Sequence, residues 1–217
     1  YRQVALLSRM SPGRDSYPGD MFFAHSSLLE RAGRLKSNKR TFTAVPLVLA
    51  DSGDIAAYLP TNIMSITDGQ WILDMKIFRD TMRPAVSVGL SVSRVGGVGQ
   101  NQRQKELTAE ALKLLADFGE AEEYAHFGSE LALQAQTSLT RGKMLFQLMN
   151  QQIDEHYTIL AQTLALDIVL HAPMEQPLNI QKMKSQANQM AAEIKSDSDY
   201  ARVKDKLQKE SLVELKR

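Results

Sequence analysis

The feature that most constrains this chain is a change of composition near residue 100. Up to Gln100, glycine and proline recur among β-branched and apolar runs; beyond it they are scarce, and Leu, Ala, Gln, Glu and Lys dominate. Glycine and proline punctuate regular structure, whereas long unbranched side chains favour helix. The two halves therefore carry different local instructions, and the expected fold class is α/β followed by all-α. A chain of 217 residues has room for one large or two modest domains.

Within the first half, Tyr17 to Gly33 has Pro18 and Asp20 near its start and a glycine at its end, which predicts a helix of about four turns. Phe22, His25, Leu28, Leu29 and Ala32 recur at three- and four-residue spacing and mark its buried face. Thr41 to Ala50 is β-branched and apolar, which predicts a strand buried on both faces, with Pro46 arguing for an edge or an irregularity. Trp71 to Leu73, after the Asp68-Gly69 turn, and Ala85 to Val95 are further expected strands. In the second half, Leu107, Ala111, Leu114, Leu115 and Phe118 mark one amphipathic helix. Leu131 to Met149 and Tyr157 to Leu170 carry others, Pro173 and Pro177 break the pattern, and a last helical stretch runs from Asn179. This half is expected to form a helical bundle.

Charge and cysteine content exclude whole classes of function. Twenty-six basic against twenty-five acidic residues leave a net charge of +1, so composition makes no case for nucleic acid or a lipid surface as partner. Zero cysteines exclude disulfides, thiolate metal sites and a cysteine nucleophile. The longest apolar run, Ala44 to Ala50, falls far short of the roughly 20 residues that cross a bilayer. Tyr1 to Met10 has neither a starting methionine nor a cleavage site, so the chain is expected to begin partway through a longer one.

No phosphate-cradling G-x-x-x-x-G-K-[ST] occurs, and Gly96-Gly97-Val98-Gly99 reads as a strand-to-helix joint. His25, His126, His156 and His171 are too scattered for a helix-borne zinc motif, and no metal site is expected from these side chains. Glu120, Glu122 and Glu123 read as a solvated face. Arg94 stands apart, because it ends the alternating run Val86 to Ser93 just before the glycines. An arginine there faces either an internal carboxylate or an anion beyond the sheet edge, and the residues alone leave both open.

Three blocks carry a family resemblance: P-G-R-D-S-Y-P-G-D-M-F-F-A-H-S-S-L-L-E-R-A (12–32), P-T-N-I-M-S-I-T-D-G-Q (60–70) and R-P-A-V-S-V-G-L-S-V-S-R-V-G-G (83–97). In this order and spacing they resemble the alpha subunits of F-type ATP synthases. Y-A-H-F-G-S-E-L (124–131) is also similar, whereas the chain beyond about residue 150 aligns poorly. The resemblance implies that the family's β-barrel, phosphate-binding loop and Walker B strand precede Tyr1. Residues 1–102 are then the C-terminal part of a RecA-like nucleotide-binding domain and 103–217 the C-terminal helical domain.

The resemblance also implies a role: a regulatory, non-catalytic subunit alternating with beta subunits in a hexamer around the gamma shaft, with ATP made or hydrolysed mainly in beta. Arg94 falls on the arginine finger that reaches across to the γ-phosphate, and Ser91 on a serine required for activity. Ser65 and Phe22, and more weakly Gly69, fall on positions lining that interface. Arg83 and Pro84 match residues bordering the adenine of a bound but unreacted nucleotide, Gln151 matches the first glutamine of a Q-x-Q there, and Gly69 is grouped with them as nucleotide-binding. Ile153 replaces the second glutamine and cannot hydrogen-bond adenine; Ser87 and His126 are milder departures. ATP or ADP with Mg is expected in the whole assembly, without tight binding by this chain alone. The membrane is reached only through the complex, on the cytoplasmic face of a bacterial membrane or its organelle equivalent. The competing expectations are a non-enzymatic helical interaction module or a diverged rotary-ATPase relative.

Overall fold

The structure is a computed structural model that describes residues 1–126, 133–173 and 177–213. It divides into two compact units, Tyr1–Trp71 with Ser91–Gly96, and Ile72–Leu90 with Gly97–Arg217.

The first unit contains helices α1 (Arg2–Leu7), α2 (Met21–Leu29) and α3 (Tyr58–Ile66). Two short antiparallel ladders accompany them. Strand β1 (Gly33–Arg34) pairs with β2 (Thr41–Phe42), placing Gly33 opposite Phe42, and β3 (Gly69–Gln70) pairs with β4 (Val92–Ser93), placing Gly69 opposite Ser93. Helix α2 packs on α3. Pro18 is fully buried just ahead of α2, and the Tyr17 and Tyr58 rings lie 5.7 Å apart. The buried set here is small: Ala5, Met21, Pro18, Pro60 and Asn62.

Three sequence expectations need correction in detail. The helix expected from Tyr17 to Gly33 occupies only Met21–Leu29, and Gly33, expected to stop it, already belongs to β1. Of Thr41 to Ala50, only Thr41 and Phe42 form a ladder, and Leu47 and Leu49 are 94% and 92% exposed. Of Ala85 to Val95, only Val92–Ser93 is strand, with one isolated bridge between Leu73 and Val86; Trp71 is 80% exposed. The physical reason is common to the strands. A β-strand exists through its ladder, and among the described residues no third strand lies beside either pair.

The second unit opens with helix α4 (Met75–Arg79), whose first N–H groups are capped by the Asp74 carboxylate. The helical array follows: α5 (Gln102–His126), α6 (Leu133–Met149), α7 (Ile159–His171), α8 (Ile180–Ala191) and α9 (Asp197–Glu210). Thr158, Asn179 and Ser196 each place a side-chain oxygen on the orphan N–H groups that start α7, α8 and α9. The stretch from Asn179, expected as one helix, is therefore two. Leu145, Leu164, Ile168, Val169, Met183, Val203 and Leu207 form its dry centre. Gly142 on α6 lets the Phe118 ring of α5 lie against the helix backbone. Glu120, Glu122 and Glu123 are exposed on α5. Residues 127–131 of the Y-A-H-F-G-S-E-L motif and the side chain of His126 lie outside the described residues.

Inside this array a carboxylate is fully occupied. Asp167 of α7 accepts from the Tyr200 hydroxyl at 2.9 Å, from Lys204 Nζ at 2.6 Å and from His171 Nδ1 at 2.9 Å. The other ring nitrogen of His171 stands 3.2 Å from Glu110 of α5, so helices α5, α7 and α9 share one polar network.

Candidate functional site

In the first unit the site grows from the C-terminal end of α3. The last carbonyls of a helix have no partner within it, and α3 stops where Thr67 turns extended. Two of its orphan carbonyls are taken by one side chain. Arg94 donates from Nη1 to the Ser65 carbonyl at 3.1 Å and from Nη2 to the Met64 carbonyl at 2.9 Å. The Arg94 backbone N–H donates to Asp68 at 2.8 Å, so the residue is tied down at both ends. A cation at a helix C-terminus also meets the negative end of the macrodipole, worth about 0.3–1 kcal/mol at an exposed position.

Strand β4 delivers Arg94 to this place. Its partner β3 supplies Gly69, where a Cβ would collide with the Val92 carbonyl, so only glycine permits this close pairing. Among the described residues no carboxylate pairs with Arg94. Of the two options left open by the residues, the internal salt bridge is thus not what forms, and the guanidinium lies exposed with donors beyond the two in use.

Ser65 is exposed on α3, its hydroxyl donating to the Asn62 carbonyl at 2.7 Å. Asn62 is 7% exposed, and its amide nitrogen lies 2.8 Å from Nδ1 of His25 on α2. A shallow concavity of about 190 Å³ beside them is lined by Arg14, Tyr58, Thr61, Asn62 and Ser65. Phe22 is 52% exposed on α2, the helix packed against α3. Ser91 is half-buried immediately before β4. Arg94, Ser91, Ser65, Gly69 and Phe22 thus share one compact unit.

The second unit gathers Arg83, Pro84 and Gln151. Arg83 donates from Nη1 to the carbonyls of Phe78 and Met82 at 2.7 and 2.8 Å, with its guanidinium carbon 3.6 Å from the centre of the Phe78 ring. Its backbone bonds to the turn after α6: the Asn150 carboxamide accepts from Arg83 N–H at 3.0 Å, and Gln151 N–H donates to the Arg83 carbonyl at 2.7 Å. Gln151 turns its own carboxamide onto the Glu155 carbonyl, while Ile153 is fully exposed and Pro84 is exposed.

Lys184, 4% exposed, seals this corner by donating to the Asn150 carbonyl at 2.5 Å and to Glu155 at 2.9 Å. That hydrogen bond holds the Glu155 carboxyl below its ordinary range. Burial first, and then the charge of Glu155, pushes the Tyr157 hydroxyl up to about 12.

Sequence reasoning brought Arg94 to the end of a strand but missed its anchors, because backbone carbonyls leave no mark in a sequence. It also missed Asn62, although a lone amide inside P-T-N-I-M-S, three residues before Ser65, was a visible signal. Asn150 and Lys184 lay in the part of the chain that aligned poorly.

Comparison with known proteins identifies the family of the chain. Residues 1–93 match the ATP synthase alpha/beta family, nucleotide-binding domain, and residues 100–216 match the ATP synthase alpha/beta chain, C terminal domain. Over 154 residues the chain is 46% identical to the ATP synthase subunit alpha of Ehrlichia chaffeensis and to that of Wolbachia pipientis from Culex pipiens, and 47% identical to that of Wolbachia pipientis wMel. These matches cover 70% of this chain and only 30% of each relative. With both domains matched in order and nearly half of the aligned positions identical, the chain belongs to the ATP synthase alpha/beta family.

Proposed function

We propose that this chain acts as a non-catalytic, regulatory alpha-type subunit of a rotary ATP synthase, and that Arg94 serves a nucleotide site housed in a neighbouring beta-type subunit. In this reading alpha- and beta-type subunits alternate in a hexamer around the gamma shaft. Residues 1–102 belong to the nucleotide-binding domain and 103–217 to the helical one. The assembly is peripheral to a membrane on its cytoplasmic or equivalent face. No helix among the described residues is long and apolar enough to cross a membrane.

The supporting observation is the state of Arg94: exposed, without a carboxylate partner among the described residues, and braced on the α3 carbonyls. A guanidinium is always charged and can bond two oxygens at once, so it suits charge building up on a transferring phosphoryl group. The partners of Arg94 are the backbone carbonyls of Met64, Ser65 and Asp68, and Ser91 lies three residues before it in the chain. The remaining guanidinium donors fit phosphate oxygens, whereas Mg takes oxygen ligands that a guanidinium does not supply. Bound MgATP supplies the phosphoryl group that is transferred. This chain binds its anionic end through Arg94, with Ser65 and Ser91 at the same edge and Phe22 at the subunit contact. For the nucleotide that is bound without turnover, Arg83, Pro84 and Gln151 border the base.

The test is Arg94→Ala and Arg94→Lys in the intact subunit assembled with its beta-type partner. Nucleotide binding and assembly stay near normal, while single-turnover hydrolysis slows by about 10³ to 10⁵, the usual worth of an arginine finger. Lysine restores little because it loses the planar fork. Unchanged turnover in both variants overturns the proposal.

A further inference from the structure

We infer that His25 and Asn62 are positioning residues for Arg94: a hydrogen-bonded relay from α2 through α3 aims the guanidinium, an inference that rests on the finger reading above. The relay runs from one side-chain contact through the backbone of α3 to Arg94. His25 Nδ1 meets the Asn62 side-chain amide nitrogen at 2.8 Å, and within α3 the Asn62 backbone carbonyl accepts from the Ser65 hydroxyl at 2.7 Å. The carbonyls of Ser65 and its neighbour Met64 then accept from Arg94 at 3.1 and 2.9 Å.

A primary amide buried at this place needs a physical reason. Asn62 is 7% exposed in a unit with few buried residues, and a buried amide is costly unless its hydrogen bonds are made. An apolar residue would seat α3 on α2 without that cost. The amide adds direction: it fixes the rotation of α3 about its own axis relative to α2. Rotation matters at the far end, because the carbonyls that hold Arg94 leave the helix in fixed directions. On a helix of about 2.3 Å radius, a 20° turn displaces them by about 0.8 Å. Displacements near 1 Å at a reacting group cost about a hundredfold in rate. Gly69 supports the same alignment from the strand side, since its lack of a side chain is what lets β4 approach β3.

The experiment uses the intact subunit assembled with its beta-type partner. Asn62→Leu keeps volume and removes the hydrogen bonds; His25→Phe removes the partner from the other side. Each is expected to lower kcat for ATP hydrolysis about 10- to 100-fold, with KM for MgATP within twofold. Binding of MgADP with fluoroaluminate, which imitates the transferring phosphoryl group, weakens by the same factor as kcat, while binding of MgADP alone does not change. The double variant is no worse than the worse single, as coupled residues require, and His25→Gln, which can still meet the amide, keeps most of the rate.

Wild-type kcat in both single variants, alongside a slow Arg94→Ala, overturns the relay and leaves the finger reading standing. Wild-type kcat in Arg94→Ala overturns the finger reading itself. Should Asn62→Leu fail to assemble, His25→Phe and His25→Gln carry the test at the more accessible partner. Equal losses in those two, or a fluoroaluminate affinity that does not follow kcat, reduce the pair to a merely structural contact.

Discussion

Replacing Asp167 by asparagine isolates the charge at the centre of the helical unit. The side chain of Asp167 is 9% exposed, that of Lys204 24% and that of His171 47%. Removing one member of a buried ion pair costs about 3–5 kcal/mol when the survivor is trapped. Here the surviving ammonium can turn toward water, and the new carboxamide can still accept from Tyr200. A loss of about 2–3 kcal/mol is therefore expected for Asp167→Asn. Asp167→Ala also strands the Tyr200 hydroxyl, on a residue 5% exposed, and falls to about 3–5 kcal/mol. Urea denaturation followed by the helical circular-dichroism signal measures both, with the slope unchanged if the unfolded state is unaffected.

The pH dependence supplies the sign. Burial by itself raises the Asp167 carboxyl, but the hydrogen bonds from Lys204 and Tyr200 outweigh it, and the group sits below its ordinary range. A depressed carboxyl stabilises the fold above its unfolded value, about 3.9, and loses that contribution as pH falls through the folded value. The gap between wild type and Asp167→Asn is thus full at pH 7 and closes below about pH 4. A variant within about 0.5 kcal/mol of wild type at pH 7, the ordinary scatter of surface substitutions, refutes the reasoning. So does a gap that persists unchanged to the acid limit.

Two further outcomes follow from packing. Gly142→Ala gains about 1 kcal/mol of helix propensity, but the new Cβ overlaps the Phe118 ring and lies 2.9 Å from Phe118 Cβ, at the root of the side chain, where no rotamer change relieves it. Overpacking of this kind costs about 1–3 kcal/mol, so a net loss of up to about 2 kcal/mol is expected in the same urea assay, and a more stable variant contradicts it. Leu47→Lys combined with Leu49→Lys is expected to reduce self-association in sedimentation velocity while leaving the melting of the helices unchanged, because both leucines are more than nine-tenths exposed in an unpaired apolar stretch. Unchanged association places the adhesive surface elsewhere.

Helices α5 to α8 were legible in the sequence because their determinants are local, whereas α1, α3, α4 and the break before α9 were not read from it. The spacing of Leu107, Ala111, Leu114 and Phe118 announces α5, and Thr158, Asn179 and Ser196 stand where caps belong. The strands were not, because an apolar run such as Thr41 to Ala50 becomes a strand only when another strand lies beside it. The site divides in the same way. Arg94 could be picked out by position, and Gly69 only through the family resemblance. The capping of α3 by Arg94, and the meeting of Asn150 and Lys184 beside Gln151, depend on three-dimensional neighbours that no spacing encodes. Asp167 was visible as the one charge inside the apolar run from Ile159 to Leu170, yet its partners on α5 and α9 were not.

The pairing of β3 with β4 has a consequence for the order in which the chain folds. The hairpin of β1 and β2 closes across about six residues, whereas β3 and β4 meet only across roughly twenty, nearly all of which belong to the other unit. The entropy of closing the longer loop exceeds that of the shorter by about 1 kcal/mol, and a two-residue ladder returns little against it. The intervening segment shortens this search once its two sides are joined, by Asp74 N–H on the Ala85 carbonyl at 3.0 Å and Ser87 N–H on the Ile72 carbonyl at 2.8 Å. Arg94 is therefore expected to reach α3 late, after the excursion from Ile72 to Leu90 has taken its own shape, which would make correct folding of that excursion a condition for delivering the guanidinium.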